Sequence, residues 1–262
     1  MEPQQIRVTI QGPIAEIVLC RPEVRNAMTE RMGEELAAAV VALGSEEGLR
    51  AVIVRGEGGH FSGGGDLGFI DARTAAEPED NRRAMGVFYR RFLSIRDLPV
   101  PTIAAIEGAA VGAGMCFAMA CDLRVAAEDS KLGLNFTRVG LHPGMGATFL
   151  LPRLVGPARA AEILFTGRIL DAARALEMGL VNAIHPKGMV LEAARALALE
   201  IASAAPLAVA RTKSTLRFSL EHTLEQALES EARSQALDYR TEDVKEAVAA
   251  FRGKRSANFR GR

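Results

Sequence analysis

Two short β-type runs open the chain, residues 7–10 and 14–19, parted by Gly12-Pro13, and together they predict a hairpin. From Thr29 the period changes. Met32, Leu36, Val40 and Leu43 recur at helical spacing with Gly44 just past them, which predicts a helix with one apolar face. Ala51-Val52-Ile53-Val54 is apolar at every position, as a strand covered on both faces requires. A polar stretch, residues 71–81, leads into a helix ending near Asp97, and Thr102-Ile103-Ala104-Ala105-Ile106 is the next buried strand. Residues 123–126 and 131–134 read as strands and residues 158–165 as a helix. A further helix over 171–178 takes Asp171 as N-cap and Gly179 as stop, with a strand after it at 180–184. Beyond Val190 the pattern is helical almost to the end, broken by Pro206. Strands separated by helices over the first two thirds predict a layered α/β core, and the helical tail predicts a second layer or an oligomer contact.

Composition narrows the class of partner. With 262 residues, 48% of them apolar, the chain can bury a large core, as one domain or as a main domain with a helical appendage. Lys plus Arg and Asp plus Glu both number 32, so no overall field recruits nucleic acid or an acidic membrane, and a polyanionic ligand needs local basic groups. Cys20, Cys116 and Cys121 have no metal-ligand spacing and form no even set, which points to a reducing compartment without a disulfide framework. The opening Met1-Glu2-Pro3-Gln4-Gln5 lacks a basic region followed by an apolar one, and no run is long and charge-free enough to span a bilayer. A cytoplasmic protein is expected.

The chemistry-bearing segments are two glycine-rich turns. Phe61-Ser62-Gly63-Gly64-Gly65-Asp66-Leu67 and Gly112-Ala113-Gly114-Met115 each follow an apolar β-type run, and the second opens into an apolar helix-like stretch. Such turns can aim two backbone N–H groups at one oxygen, and a helix N-terminus adds the positive end of its dipole. An anion developing at a carbonyl, such as a thioester enolate, needs donors of this kind already in place.

Several pieces, in order and at matching intervals, resemble the crotonase (enoyl-CoA hydratase/isomerase) superfamily from near Ile6 to Arg262. They are Arg21-Pro22-Glu23-Val24-Arg25-Asn26-Ala27-Met28, the first glycine turn, Glu107-Gly108 with Gly112-Ala113-Gly114, and Cys121-Asp122. Phe165-Thr166-Gly167-Arg168, Ala175-Leu176-Glu177-Met178-Gly179-Leu180-Val181 and the tail from Ala250-Phe251-Arg252-Gly253-Lys254 to Phe259 complete the set. The resemblance implies an α/β fold, a spiral of ββα units over residues 1–200, followed by a C-terminal helical region, 201–262, used in oligomerisation. It implies a homotrimer or a dimer of trimers that binds an acyl-CoA thioester, with coenzyme A as part of the substrate, no other cofactor and no metal. It also implies an oxyanion hole at the amides of Gly65 and Ala113. Gly63, Asp66, Leu67 and Gly112 then fall around the thioester, Arg25 and Ala27 along the CoA groove, and Phe251 and Lys254 against a neighbouring subunit's CoA.

The departures matter equally. Hydratases of the superfamily use two glutamates, and the aligned positions here are Cys116 and Phe136. A base for water and an acid for Cα ordinarily contribute about 10²- to 10⁴-fold each, and neither residue offers that chemistry. Cys116 falls in the first turn of its helix, where the dipole favours thiolate, so it is either a base or acyl acceptor or a small hydrophobe lining the pocket. His142, in the glycine-bounded loop 140–146 with Leu141, is either a proton shuttle or a loop residue bonded to a carbonyl. Asp66 is better placed to hold its turn than to act as a base. Met85, Phe88, Met115, Met119, Phe136 and Met145 are acyl-pocket or plain core residues. His60 is expected to be structural or on the rim, and nothing is expected of His185 and His222.

The expected activity is that of an acyl-CoA lyase or isomerase, with enolate stabilisation and non-standard acid and base groups. A catalytically inert acyl-CoA binder is the alternative. A serine peptidase built on the same architecture needs partners for Ser62 that the matching positions do not supply.

Overall fold

The computed structural model describes residues 4–262; Met1-Glu2-Pro3, on which the absence of a leader pattern was partly read, lie outside the described residues. Strands β1 (Ile6–Gln11) and β2 (Ile14–Leu19) pair antiparallel with Ile6 opposite Leu19, turning at Gly12, whose φ of 58° suits glycine. After them come β3 (Ala51–Gly56), β4 (Thr102–Ile106), β5 (Ala109–Val111), β6 (Leu123–Ala127), β7 (Lys131–Gly133), β8 (Ile169–Asp171) and β9 (Ala183–His185). The main sheet has the order β1-β2-β3-β4-β6-β9 and is parallel from β2 onward. A small second sheet, β5-β7-β8, carries the chain out of the main one at the glycine turns.

Alternation explains the wholly apolar strands. In β3, Val52 and Val54 join the core on one face, while Ala51 and Ile53 join the core on the other. The first face is covered by α1 (Glu30–Gly44), which is capped by Thr29 and buries Met32, Leu36, Val40 and Leu43. The short α2 (Leu67–Thr74) and the longer α3 (Pro78–Leu93) follow β3. Helix α4 (Ala113–Ala120) is buried at all eight positions, which accounts for its lack of a polar face. Next along the chain are α5 (Ala147–Val155), α6 (Pro157–Thr166) and α7 (Ala172–Glu177). On the second face α8 (Val190–Ala202) lays Val190, Ala194 and Ala198 against Ile14, Ile53 and Val125.

Helices α9 (Pro206–Leu216), α10 (Leu224–Asp238) and α11 (Glu242–Arg252) form the tail. The chain end folds back on it: buried Asp243 accepts from the amides of Arg260 and Gly261, and Arg50 donates to the Phe259 carbonyl. Leu216, Leu224, Leu228, Leu237, Tyr239 and Phe251 remain exposed along these helices. Among the described residues no single helix is long and apolar enough to cross a membrane.

The sequence pattern and the structure differ at four places, one of them α5, for which the pattern predicts no element. Helix α2 occupies part of the stretch read as polar and irregular, because Asp66, inside the glycine turn, caps it. Of the strand expected at 180–184 only its end pairs, as β9; Leu180 is buried in the preceding turn with its amide on the Ala175 carbonyl. Strands β5 and β8 were too short to stand out in the pattern.

One buried charge fastens α8 to the sheet. Glu16, in the middle of β2, receives hydrogen bonds from Arg55 of β3 and Arg195 of α8. Burial alone pushes its carboxyl up, but Arg195 and Arg55 more than offset that and hold it below the ordinary glutamate value. A carboxylate lowered in this way stabilises the fold above its unfolded value of about 4.3 and stops doing so as pH falls through the folded value. Glu16→Gln is therefore expected to cost about 1–3 kcal/mol at neutral pH. Thermal melts should show the gap to wild type closing as pH drops below about 4; a gap independent of pH would contradict this role.

Candidate active site

The two glycine turns are locked together by backbone. Phe61 N–H donates to the Glu107 carbonyl at 2.8 Å, Ser62 N–H to Ala109 at 2.9 Å, and Val111 N–H back to Ser62 at 3.1 Å. The first turn is thus stitched to β5, directly ahead of α4, with Ser62 bridging Ala110. Close approach demands glycine at two places. A Cβ on Gly64, whose φ is 101°, would lie 2.8 Å from the Val111 carbonyl and 3.6 Å from the Ala113 nitrogen; one on Gly114 would lie 2.6 Å from the Ser62 carbonyl.

Two amides in this junction stay open. Asp66 N–H is taken by the Met28 carbonyl at 3.0 Å and Gly112 N–H by Gly133 at 2.8 Å, yet among the described residues neither Gly65 nor Ala113 N–H donates to any acceptor. Ala113 is the first residue of α4, where helix geometry leaves the amide unpaired and the dipole is positive.

A second loop buttresses the first turn from the side of residues 21–28. Asn26 is fully buried in left-handed backbone, φ 55°. Its Oδ1 accepts from Arg21 N–H at 2.9 Å, and its Nδ2 donates to the carbonyls of Glu57 and His60 at 2.9 and 2.7 Å. Ser62 Oγ donates to the Asn26 carbonyl at 2.9 Å and accepts from Gly64 N–H at 3.2 Å. A hydroxyl held this way is a structural brace, which removes the peptidase reading. Arg25 and Ala27 enter through their carbonyls, which accept from Gly63 N–H and Arg21 Nη1 at 2.8 and 2.7 Å.

Arg21 Nη1 also donates to Asp66 Oδ2 at 2.9 Å, while Asp66 Oδ1 accepts from Gly68 and Phe69 at the start of α2. Burial pushes the Asp66 carboxyl up, but Arg21 and those amides bring it below its ordinary value. Asp66 is an ionised cap and clamp. Asn26, Ser62 and Arg21 were not singled out as braces from sequence; the signal was their presence in matched segments without evident chemistry.

Of the two readings of Cys116, thiolate or small hydrophobe, burial favours the second. The side chain is completely buried, burial drives its pKa far upward, and its Sγ–H donates to the Gly144 carbonyl at 3.5 Å. Phe136, at the head of a short 3-10 turn, is half-buried against the main core. Leu141 and His142 are exposed, and His142 Nδ1 is 2.8 Å from the Pro143 carbonyl, which makes that nitrogen the donor. His60 is structural: its Nδ1 accepts from Ala109 N–H at 3.1 Å. Tyr89 of α3, not singled out from sequence, is half-buried with its hydroxyl against Gly144.

Gly63, Gly65, Asp66, Leu67, Gly112, Ala113 and Cys116 thus gather around one junction with Arg25 and Ala27 beside it. Leu67 is 81% exposed and Phe251 is 87% exposed; Lys254, in left-handed backbone past α11, is exposed as well. The last two stand in solvent rather than against the glycine turns. A groove of about 780 Å³ lies at the other end of α4, lined there by Met119 and Ala120 and flanked by Leu154, Ile201 and Lys213, and is separate from this junction.

Comparison with known proteins yields a consistent set. The family model described as enoyl-CoA hydratase/isomerase matches residues 9–262. A putative enoyl-CoA hydratase of Thermus thermophilus is 37% identical over 249 residues, covering 95% of this chain and 98% of its own. A crotonyl-CoA hydratase of Syntrophomonas wolfei is 34% identical, covering 94% of each chain. The crystal structure of an enoyl-CoA hydratase from Bacillus anthracis superposes with a TM-score of 0.93 at 34% identity, over 99% of this chain and 100% of its own.

The junction tolerates no side chain at residue 114. Gly114→Ala, with its methyl against Ser62 backbone, is expected to lose about 1–3 kcal/mol in denaturant unfolding. Gly63→Ala, whose methyl meets nothing nearer than 3.5 Å, should unfold like wild type. Equal stability of the two variants would refute the interlock.

Proposed function

The chain belongs to the enoyl-CoA hydratase/isomerase family, and from that membership we propose that it is an acyl-CoA enzyme that stabilises a thioester enolate between the amides of Gly65 and Ala113. The observation that carries this reading is the pair of unpaired N–H groups on two interlocked turns, one of them at a helix N-terminus. In this reading Arg25 and Ala27 border the CoA groove, Phe251 and Lys254 meet the CoA of a neighbouring subunit in a trimer or a dimer of trimers, and no separate cofactor takes part. The resemblance aligns Cys116 and Phe136 with the two glutamates of a hydratase, which disfavours hydration by that carboxylate pair.

The test targets one hydrogen. Proline is at home in the first position of a helix, where its missing N–H leaves no intrahelical bond unmade, so Ala113→Pro deletes one donor and keeps α4. Wild type is incubated with a panel of acyl-CoA esters in deuterated water, and turnover and deuterium at Cα are followed by mass spectrometry. Ala113→Pro is expected to lower turnover about 10²- to 10³-fold while ester binding stays within a few-fold. Binding without turnover or exchange on any ester would leave an inert acyl-CoA binder; absence of binding would remove the reading altogether.

A further inference from the structure

The chain contains two tyrosines, and one of them, Tyr89, projects from α3 towards the loop that faces Cys116. Its ring meets Phe88 edge-on at 6.4 Å, within the aromatic group that Phe88 and Phe92 build under α4. A Cβ built on Gly144 would lie 2.3 Å from the Tyr89 hydroxyl oxygen, and the Gly144 carbonyl is the acceptor of the Cys116 thiol. The hydroxyl therefore lies beside residue 116, three positions along α4 from Ala113 and so about 4.5 Å down the helix axis from that amide.

Among the described residues this hydroxyl has no hydrogen-bond partner, although the ring is half-buried. Tyrosines that bury their rings ordinarily pair the hydroxyl. The oxygen reaches solvent, so its hydrogen is available to a ligand that displaces water there. Burial, with a smaller push from Cys116, raises the phenol above its usual value, so it is held as a proton donor. The Cys116 thiol is held protonated too, and Phe136 carries no proton to move. Asp66 is engaged by Arg21 and the α2 amides, and His142 stands in solvent. Around the acyl group, these residues supply an acid and no base.

An enolate can arise in three ways. A base can remove a proton from Cα, a base-activated nucleophile can add at Cβ, or a group on Cα can depart and leave its electron pair behind. Only the third needs no base from the protein. We propose that the Tyr89 hydroxyl is the proton donor to Cα and that the substrate is a CoA thioester bearing a carboxylate on Cα, which this site decarboxylates. The Cα–carboxylate bond breaks, its electron pair passes into the enolate held by Gly65 and Ala113, and carbon dioxide leaves. Tyr89 then gives its proton to Cα, forming the new C–H bond, and the tyrosinate takes a proton from water. The inference rests on the proposed function and adds the acid and the substrate class.

The experiment offers malonyl-CoA, methylmalonyl-CoA, crotonyl-CoA and acetyl-CoA to the full-length protein in deuterated water, following carbon dioxide release and deuterium at Cα. The malonyl-type esters are expected to yield acetyl- and propionyl-CoA with one deuterium delivered at Cα, and crotonyl-CoA to stay unhydrated. Tyr89→Phe, which keeps the ring packing, should lower kcat about 10²- to 10⁴-fold with KM within a few-fold. Its residual propionyl-CoA should be racemic at the deuterated carbon where wild type gives one enantiomer, a readout that a purely structural tyrosine would not move. Gly144→Ala, which places a methyl where the hydroxyl sits, should show the same loss of stereochemistry. Hydration of crotonyl-CoA or exchange into acetyl-CoA without carbon dioxide release from the malonyl-type esters would overturn this inference and leave the enolate site standing. Decarboxylation by Tyr89→Phe at wild-type rate and stereochemistry would overturn the role of Tyr89, and failure of every ester to bind would sink both readings.

Discussion

Residue 114 has no side chain because Ser62 occupies its place. The Ser62 carbonyl, Cβ and hydroxyl all lie within 2.8 Å of where a Cβ on Gly114 would be, and the same serine pairs by backbone with Ala109 and Val111. Strand β5, three residues long, is held in register with the first glycine turn by these bonds, and α4 starts from its end. The Gly65 and Ala113 amides are thereby carried on elements joined by main-chain bonds. Bonds between main-chain groups fix geometry more tightly than a pair of long side chains, which must give up rotamer freedom to meet. Donors fixed in advance need no reorganisation when charge develops.

Around that junction the polar side chains are braces. Asn26 makes three hydrogen bonds and Ser62 two, while Asp66 joins Arg21 to the start of α2. Each lies where a reading by residue type alone would suspect catalysis, and each is occupied by backbone. The residues of the acyl side show the opposite state. Cys116 is silenced by burial, Phe136 is apolar, and the Tyr89 hydroxyl is left unpaired. The contest at Cys116 is decided by magnitude: a helix dipole favours a thiolate by about 0.3–2 kcal/mol, whereas complete burial can shift a group by about 3–5 pKa units, at roughly 1.4 kcal/mol each. Desolvation wins.

Much of the fold was legible because its information is local. The double-sided burial of β3 is written in four consecutive apolar residues, and α1 in Met32, Leu36, Val40 and Leu43 with Thr29 ahead of them. Helix α2 was not legible, since its cap is the Asp66 of a glycine turn and its own sequence has little amphipathic pattern. Strands β5 and β8 are shorter than any periodicity can register. The two glycine turns stood out as chemistry because glycine following a buried strand is a local signal. At Cys116 the sequence left two readings open, because its position in a helix is local but its cover, Gly144 and the neighbouring Tyr89, comes from elsewhere in the chain. Tyr89 was invisible for the same reason: in sequence it is one aromatic in an arginine-rich helix, and only its approach to Gly144 gives it a place in the site.

The division of labour between backbone and side chain explains how such a site can depart from a carboxylate pair and keep its purpose. In the proposed reading oxygen binding falls to amides whose positions depend on Gly64 and Gly114, where a Cβ would meet main-chain atoms at under 3 Å. In the same reading proton transfer falls to Tyr89, which lies against Gly144 beside Cys116 and takes no part in the contact between Ser62 and Gly114. A carboxylate at residue 116 would have to be buried in the place where the Cys116 thiol now touches the Gly144 carbonyl, an acceptor it could meet only in its protonated form. The phenol opposite imposes no such charge on the core. It can stay neutral before and after turnover, so its demand on the surroundings is limited to the brief interval between giving up a proton and recovering one from water.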